Sequence, residues 1–212
     1  LFIAKLIVNY GLKLKGRLYF HIVHDEEQGG EKGSMWLTEH GYADGADFCL
    51  ITEPTSYNNI EVGQKGSARL RLRTYGTPVN GSVINYVGES AVHSMIRVLS
   101  RIGALSELTG EVSSEEARVI EDSKRIICGA MGLDDVGPAI DHVNVNISGF
   151  DGGDGSTMTS EMCEATVGLG IPFMVSRSQV EEKLREIIDD AKVHCDVEVL
   201  RWKDGAKTDV GS

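Results

Sequence analysis

Long apolar runs are missing from this chain of 212 residues: none reaches the roughly 18 that a membrane-spanning helix needs. Its first residues, Leu1-Phe2-Ile3-Ala4 running into Lys5, lack the charge-then-apolar-then-small order of a secretory signal. Basic side chains are also scarce, 21 Lys plus Arg against 32 Asp plus Glu. The resulting net charge of -11 repels phosphate backbones and anionic lipid surfaces, so neither nucleic acid nor a membrane is expected as a partner. Cysteine is sparse and scattered. Cys49, Cys128, Cys163 and Cys195 show no CxxC spacing, which argues against a disulfide framework or a thiolate zinc site and for buried, reduced thiols in a cytoplasmic protein. Internal repeats and low-complexity segments are absent as well.

What is present is a 41% hydrophobic content, enough to fill one large or two small cores. Two patterns divide the chain near Gly63 to Gly66. Before that point, Leu18 to Val23 is nearly continuous apolar sequence, as in a strand covered on both faces of a parallel sheet. A Gly-rich turn, Gly29-Gly30 and Gly33, opens a short helix through Met35-Trp36-Leu37 that Gly41 can cap, and Phe48 to Ile51 supplies a second strand. The apolar stretch Leu1 to Tyr10 adds a preceding helix, so the chain is expected to begin inside an alternating α/β domain. Two strands cannot close a doubly covered sheet alone, and this first domain, residues 1–65, reads as partial.

After Gly66 the period changes to two. Ala68, Leu70 and Leu72 alternate with Arg69, Arg71 and Arg73, and the same alternation recurs at Val143 to Ile147, at Ala165 to Leu169 and at Val197 to Val199. Apolar positions from Ala91 to Ile102 and from Val180 to Ala191 recur at helical spacing, the latter behind a capping box of Ser176 and Gln179. The order β-α-β-β-α-β predicts a ferredoxin-like antiparallel sheet over residues 66–203 with both helices on its apolar face. Residues 108–139 read as a partly helical insertion, and 204–212 as a tail or a return to the first domain. The arginine row reads as a solvated or interface stripe.

Asp25-Glu26-Glu27 and Glu53 each follow an expected strand, where open α/β sheets bind ligands. Four convergent acids either recruit a divalent cation or form a solvated acidic loop, and composition does not separate the two. His21 and His24 lie in or beside the apolar run, where hydrogen-bonded core histidines are expected.

These residues carry a resemblance. His24-Asp25-Glu26-Glu27-Gln28-Gly29-Gly30, Gly33-Ser34, Ile51-Thr52-Glu53-Pro54-Thr55-Ser56 and Val62-Gly63-Gln64-Lys65-Gly66 resemble the acidic signature and exit segment of the di-zinc deacylase and carboxypeptidase family. That family includes acetylornithine deacetylase, succinyl-diaminopimelate desuccinylase, aminoacylase and glutamate carboxypeptidase. The resemblance continues through Gly76-Thr77-Pro78, Gly81-Ser82, Gly149, Gly152-Gly153 and Cys163-Glu164-Ala165. It implies an α/β zinc-peptidase domain bearing a lid that makes a homodimer. Glu26 would be the general base, Glu27 and Glu53 ligands of a zinc pair (Zn2+, with Co2+ or Mn2+ as substitutes), and the substrate a small N-acyl amino acid or dipeptide-like amide.

Departures accompany the resemblance. The family's HxD ligand pair would fall before residue 1 and a further ligand histidine after residue 212. Asn80 stands where relatives carry a lid histidine that stabilises the developing oxyanion, Thr157 replaces an asparagine, and Gly168-Leu169-Gly170 replaces Asp-x-Arg, so Gly170 offers no fork for a substrate carboxylate. Two functional expectations follow: amide hydrolysis by a metal-dependent enzyme, or a catalytically impaired dimeric binding or assembly module. Asn80-Gly81-Ser82 also matches a glycosylation acceptor, which the cytoplasmic reading disfavours.

Overall fold

A computed structural model describes residues 1–53, 55 and 58–209. The chain divides into two units, Leu1–Pro54 and Thr55–Ser212.

The first unit holds helices α1 (Phe2–Asn9) and α2 (Ser34–Glu39) and a single 3-10 turn, Glu26–Gln28. The end of α2 follows the expected chemistry. Gly41, at φ 77°, donates its N–H to Thr38 O, and Tyr42 donates to Leu37 O, closing the last turn with a left-handed glycine. The strands expected at 18–23 and 48–51 do not form. Two strands paired only with each other are marginal in water, where three or more over a covered face are needed. Their side chains are accordingly open, with Ile22 74% and Phe48 80% exposed. His21 and His24 are exposed instead of sitting in a core, and so is Cys49, whereas Cys163 is buried and Cys128 and Cys195 are half-buried.

The second unit is the expected ferredoxin-like fold. Strands β2 (Gly66–Tyr75), β3 (Asn144–Gly152), β4 (Met162–Ile171) and β5 (Cys195–Lys203) form an antiparallel sheet in the order β3-β4-β2-β5. Helix α3 (Ala91–Leu99) connects β2 towards β3, and α5 (Arg177–Ala191) connects β4 to β5. Ala68, Leu70 and Leu72 face Leu169, Val167 and Ala165 in register, and their common face is covered by Met95 and Val98 of α3 and Val180, Leu184 and Ile187 of α5. Both capping boxes are complete, Ser176 with Gln179 at α5 and Ser113 with Glu116 at α4 (Ser114–Met131), the helix of the insertion. Burying Leu72 and Val167 fully contributes about 1.5–3 kcal/mol each.

On the wet face two arginines of the row, Arg71 and Arg73, are clamped. Arg71 lies 3.0 Å from Glu164 and 3.1 Å from Glu198, and Arg73 lies 2.8 Å and 3.2 Å from the same two carboxylates. Such half-exposed pairs are worth roughly 0–1 kcal/mol each, so they select the register of β4-β2-β5 more than they stabilise it.

The segment before β2, assigned to the first domain by the sequence, is tied into the second unit. Strand β1 (Gly63–Gln64) pairs with β6 (Ala206–Lys207), inside the expected tail, and Lys207 pairs with Glu116 of α4. Residues 210–212 of that tail lie outside the described residues. Lys65 donates to Ala139 O at 2.8 Å and to His142 O, fastening the end of the insertion. Burial of its ammonium pushes the pKa from 10.5 down to about 8, against the opposing pull of Asp141. A lysine whose folded pKa is depressed carries its penalty in full below that pKa and loses it as pH rises towards the unfolded value. The unfolding free energy of the wild-type protein is therefore expected to rise relative to that of Lys65→Met between about pH 8 and 10.5, measured by urea denaturation across that range.

Candidate functional site

Two places collect the residues singled out by the sequence. The first is the acidic turn of the first unit. Asp25 takes a left-handed conformation, φ 75°, which a short side chain able to bond locally tolerates. Its Oδ2 accepts from Lys32 N at 3.0 Å, while its carbonyl accepts from Gly30 N at 2.7 Å. Gly33 packs so closely on this turn that a Cβ there would lie 2.2 Å from His24 O. The turn therefore fixes Glu26 and Glu27 side by side on the 3-10 helix, both exposed. Glu53 is exposed in a stretch without regular structure, and Pro54 and Ser56 of the exit segment lie outside the described residues. Among the described residues, no three His, Cys, Asp or Glu side chains gather where they could hold one metal ion. Glu27 and Glu53 are acceptable ligands by chemistry, but without a third donor they do not make a zinc site by themselves.

The second place is an open cleft of about 590 Å³ in the second unit, and it contains two of the three lid residues. Asn80 and Thr157 come together because the two turns bridge: Gly81 N donates to Thr157 O at 2.7 Å, Thr159 N to Val79 O at 2.9 Å, and Val79 N to Thr159 Oγ1 at 2.8 Å. Asn80 Oδ1 accepts from Ser82 N at 3.0 Å, so the residue caps its own turn. Gly170 is elsewhere. It pairs with Ser67 and Asn144 near the end of β4, eight positions beyond Met162 at the strand's start, or about 27 Å along the strand. A Cβ at Gly170 would meet Asn144 Cβ at 3.4 Å, so the replacement of arginine there is not forced by space.

The cleft is held at Gly76. A Cβ on that residue would lie 2.4 Å from Ser160 O, 2.5 Å from Ala91 N and 2.5 Å from Glu89 O. At this crossing Gly76 N donates to Glu161 O at 2.8 Å, Thr77 N to Glu89 O at 2.7 Å and Ala91 N to Ser160 O at 3.0 Å. Beside it the buried Thr74 hydroxyl donates to Ala91 O at 2.8 Å. These bonds set the first turn of α3 against the 153–160 loop.

Two cleft residues escaped the sequence reading, His93 and Asp154. His93 lies three residues after Ser90, the cap of α3, where the helical pattern draws attention only to apolar positions. Asp154 stands between Gly153 and Gly155, both at positive φ, and that Gly-Asp-Gly sequence was the available signal for a built turn.

The peptidase dimerisation domain family matches residues 62–195 of the chain. No curated protein matches it at a significant level. Among solved structures, human carnosine dipeptidase 1 superposes with a TM-score of 0.55 at 12% identity, covering 88% of this chain and 48% of that one. An M20 family metallo-carboxypeptidase from Sulfolobus solfataricus gives 0.52 at 17% identity, with 71% and 40% covered. A di-peptidase of Saccharomyces cerevisiae gives 0.50 at 14% identity, with 71% and 38% covered. At these identities the likeness is one of fold, and the chain spans less than half the length of each of the three.

Gly76→Ala is expected to lower the free energy of unfolding by about 1–3 kcal/mol, because three backbone atoms cannot all retreat. Gly129→Ala, on an open flank of α4, is expected to raise it by about 0.5–1 kcal/mol; urea denaturation of both variants checks the contrast.

Proposed function

The chain belongs to the M20 metallopeptidase family through its peptidase dimerisation domain, and from that premise we propose that it forms the lid and part of the catalytic domain of an amide hydrolase. The family match over residues 62–195 carries this reading, and the acidic turn supports it. The substrate is a small N-acyl amino acid or peptide-like amide, and the products are a carboxylate and a free amine. Glu26 takes the proton from the attacking water and returns it to the leaving nitrogen, which is general acid–base work for a side chain held at a fixed turn. Glu27 and Glu53 are the family's metal-ligand positions, for zinc or for Co2+ or Mn2+. The donors described on this chain do not complete that set, and no step is derived through a metal. Four free thiols suit a reducing cytoplasm.

A second reading, a dimeric binding or assembly module without turnover, is favoured by the replacements at Asn80, Thr157 and Gly170. One assay separates the two. With trace zinc present, release of free amine from N-acetyl amino acids and dipeptides is expected, and Glu26→Gln is expected to slow it by about 10²–10⁴-fold. Glu26→Gln turning over at the wild-type rate, or no turnover of any such amide, would hand the function to the second reading. Zinc near two per chain would mean that residues beyond those named complete the site. Under both readings the lid pairs two copies, and sedimentation at micromolar concentration is expected to give twice 23.0 kDa; a mass of one chain overturns the dimer.

A further inference from the structure

We propose that Lys65 is an N-acylation site: its amine takes the acyl group of an acyl phosphate, and the acylated side chain lets go of the end of the 108–139 insertion. The proposal stands apart from the hydrolase reading, since it needs neither the acidic turn nor a metal.

Lys65 is the one residue between β1 and β2, and the backbone on either side of it is fixed. Gln64 pairs with Ala206 and Gly66 with Ile171. Gly66 lies so close to the end of β5 that a Cβ there would come within 2.3 Å of Lys203 O and 2.6 Å of Asp204 C. From this anchored position the half-buried side chain reaches across 74 residues of sequence to donate to Ala139 O at 2.8 Å, and also to His142 O. Other lysines of the second unit are placed differently. Lys124, Lys183 and Lys207 each meet a carboxylate, and Lys192 and Lys203 are exposed. Lys65 makes no ion pair among the described residues and meets only neutral carbonyl oxygens. Asp141 attracts its ammonium, but that carboxylate is already held by Lys124 at 2.8 Å and by His142 Nδ1 at 2.8 Å.

Burial brings the Lys65 pKa from 10.5 down to about 8. At pH 7.5 roughly a quarter of its amines are therefore neutral, against about one in a thousand for an ordinary lysine. The neutral amine keeps two N–H donors for the two carbonyls, which leaves its lone pair for an electrophile. In the transfer that lone pair attacks the acyl carbonyl, and a C–N bond replaces the C–O bond to phosphate. Phosphate leaves with the electron pair, and one N–H proton passes to solvent. The amide product has a single N–H for two acceptors, and its own carbonyl oxygen adds a third beside them. One of the two backbone carbonyls thus loses its donor. The end of the insertion then stays tied through Asp141, whose carbonyl accepts from Thr109 Oγ1 at 2.9 Å and whose carboxylate pairs with Lys124.

The test treats the full 212-residue chain with acetyl phosphate and follows each lysine by peptide mass spectrometry. At pH 7.5 Lys65 is expected to acetylate at least about tenfold faster than the exposed Lys13 and Lys15, lower basicity and partial burial returning part of its gain in neutral amine. Its rate should level off above about pH 8, where theirs still climb about tenfold per pH unit. In the treated protein, hydrogen exchange over residues 137–142 is expected to quicken about tenfold in the Lys65-acetylated fraction. Lys65→Arg keeps the charge and the donors, so its exchange there should not change on treatment, which controls for acetylation elsewhere. Equal rates at Lys65, Lys13 and Lys15, or a Lys65 rate that climbs on to pH 10 with theirs, overturn the proposal. So does acetylation of Lys65 that leaves exchange over 137–142 where it was.

Discussion

At residue 76 there is room for a hydrogen atom and nothing larger, and much of the second unit is arranged around that fact. The end of β2, the approach to α3 and the approach to β4 cross there, each exchanging backbone hydrogen bonds with the others. Such an approach replaces side-chain packing with direct peptide-to-peptide contact, held by backbone hydrogen bonds from Gly76, Thr77 and Ala91. The cleft inherits its shape from this junction. Its one wall is the first turn of α3, its other the loop that leads into β4, and both are anchored within two residues of Gly76's contacts, Ala91 and Ser160.

The two faces of the sheet do different jobs. The apolar face carries the stability, through Leu70, Leu72, Val167 and the buried side chains of α3 and α5. The wet face carries specificity of pairing. Arg71 and Arg73 each reach both Glu164 on one neighbouring strand and Glu198 on the other, so sliding either neighbour by one residue would lose two ion pairs together and turn its apolar set outward. The insertion is attached by a different device. Lys65 and Lys207 tie it to the short β1–β6 ribbon through the carbonyls of Ala139 and His142 and the carboxylate of Glu116.

The lid was legible because its signals are local. Period-two alternation at Ala68 to Arg73, helical spacing at Val180 to Ala191 and the Ser176–Gln179 box each need only a few consecutive residues to act. The runs at 18–23 and 48–51 read as strands by the same reasoning and form none, because a parallel strand exists only through partners distant in sequence. The site was legible in halves. Asn80 and Thr157 drew attention through family resemblance and do meet, whereas Gly170 was grouped with them and lies far along β4. His93 and Asp154 were missed because each has an ordinary local explanation, a helix's first turn and a glycine-bracketed bend; only folding brings both to one cleft.

The strand order β3-β4-β2-β5 has a consequence for how the molecule is made. The central strand β2 is synthesised first of the four, yet its partners begin at Met162 and Cys195. On the ribosome, Leu70 and Leu72 must wait for more than ninety further residues, until Val167 and Ala165 are made, before either edge of their strand is covered. The arginines between them keep that waiting strand charged and soluble, and their carboxylate partners arrive on the same strands that end the wait.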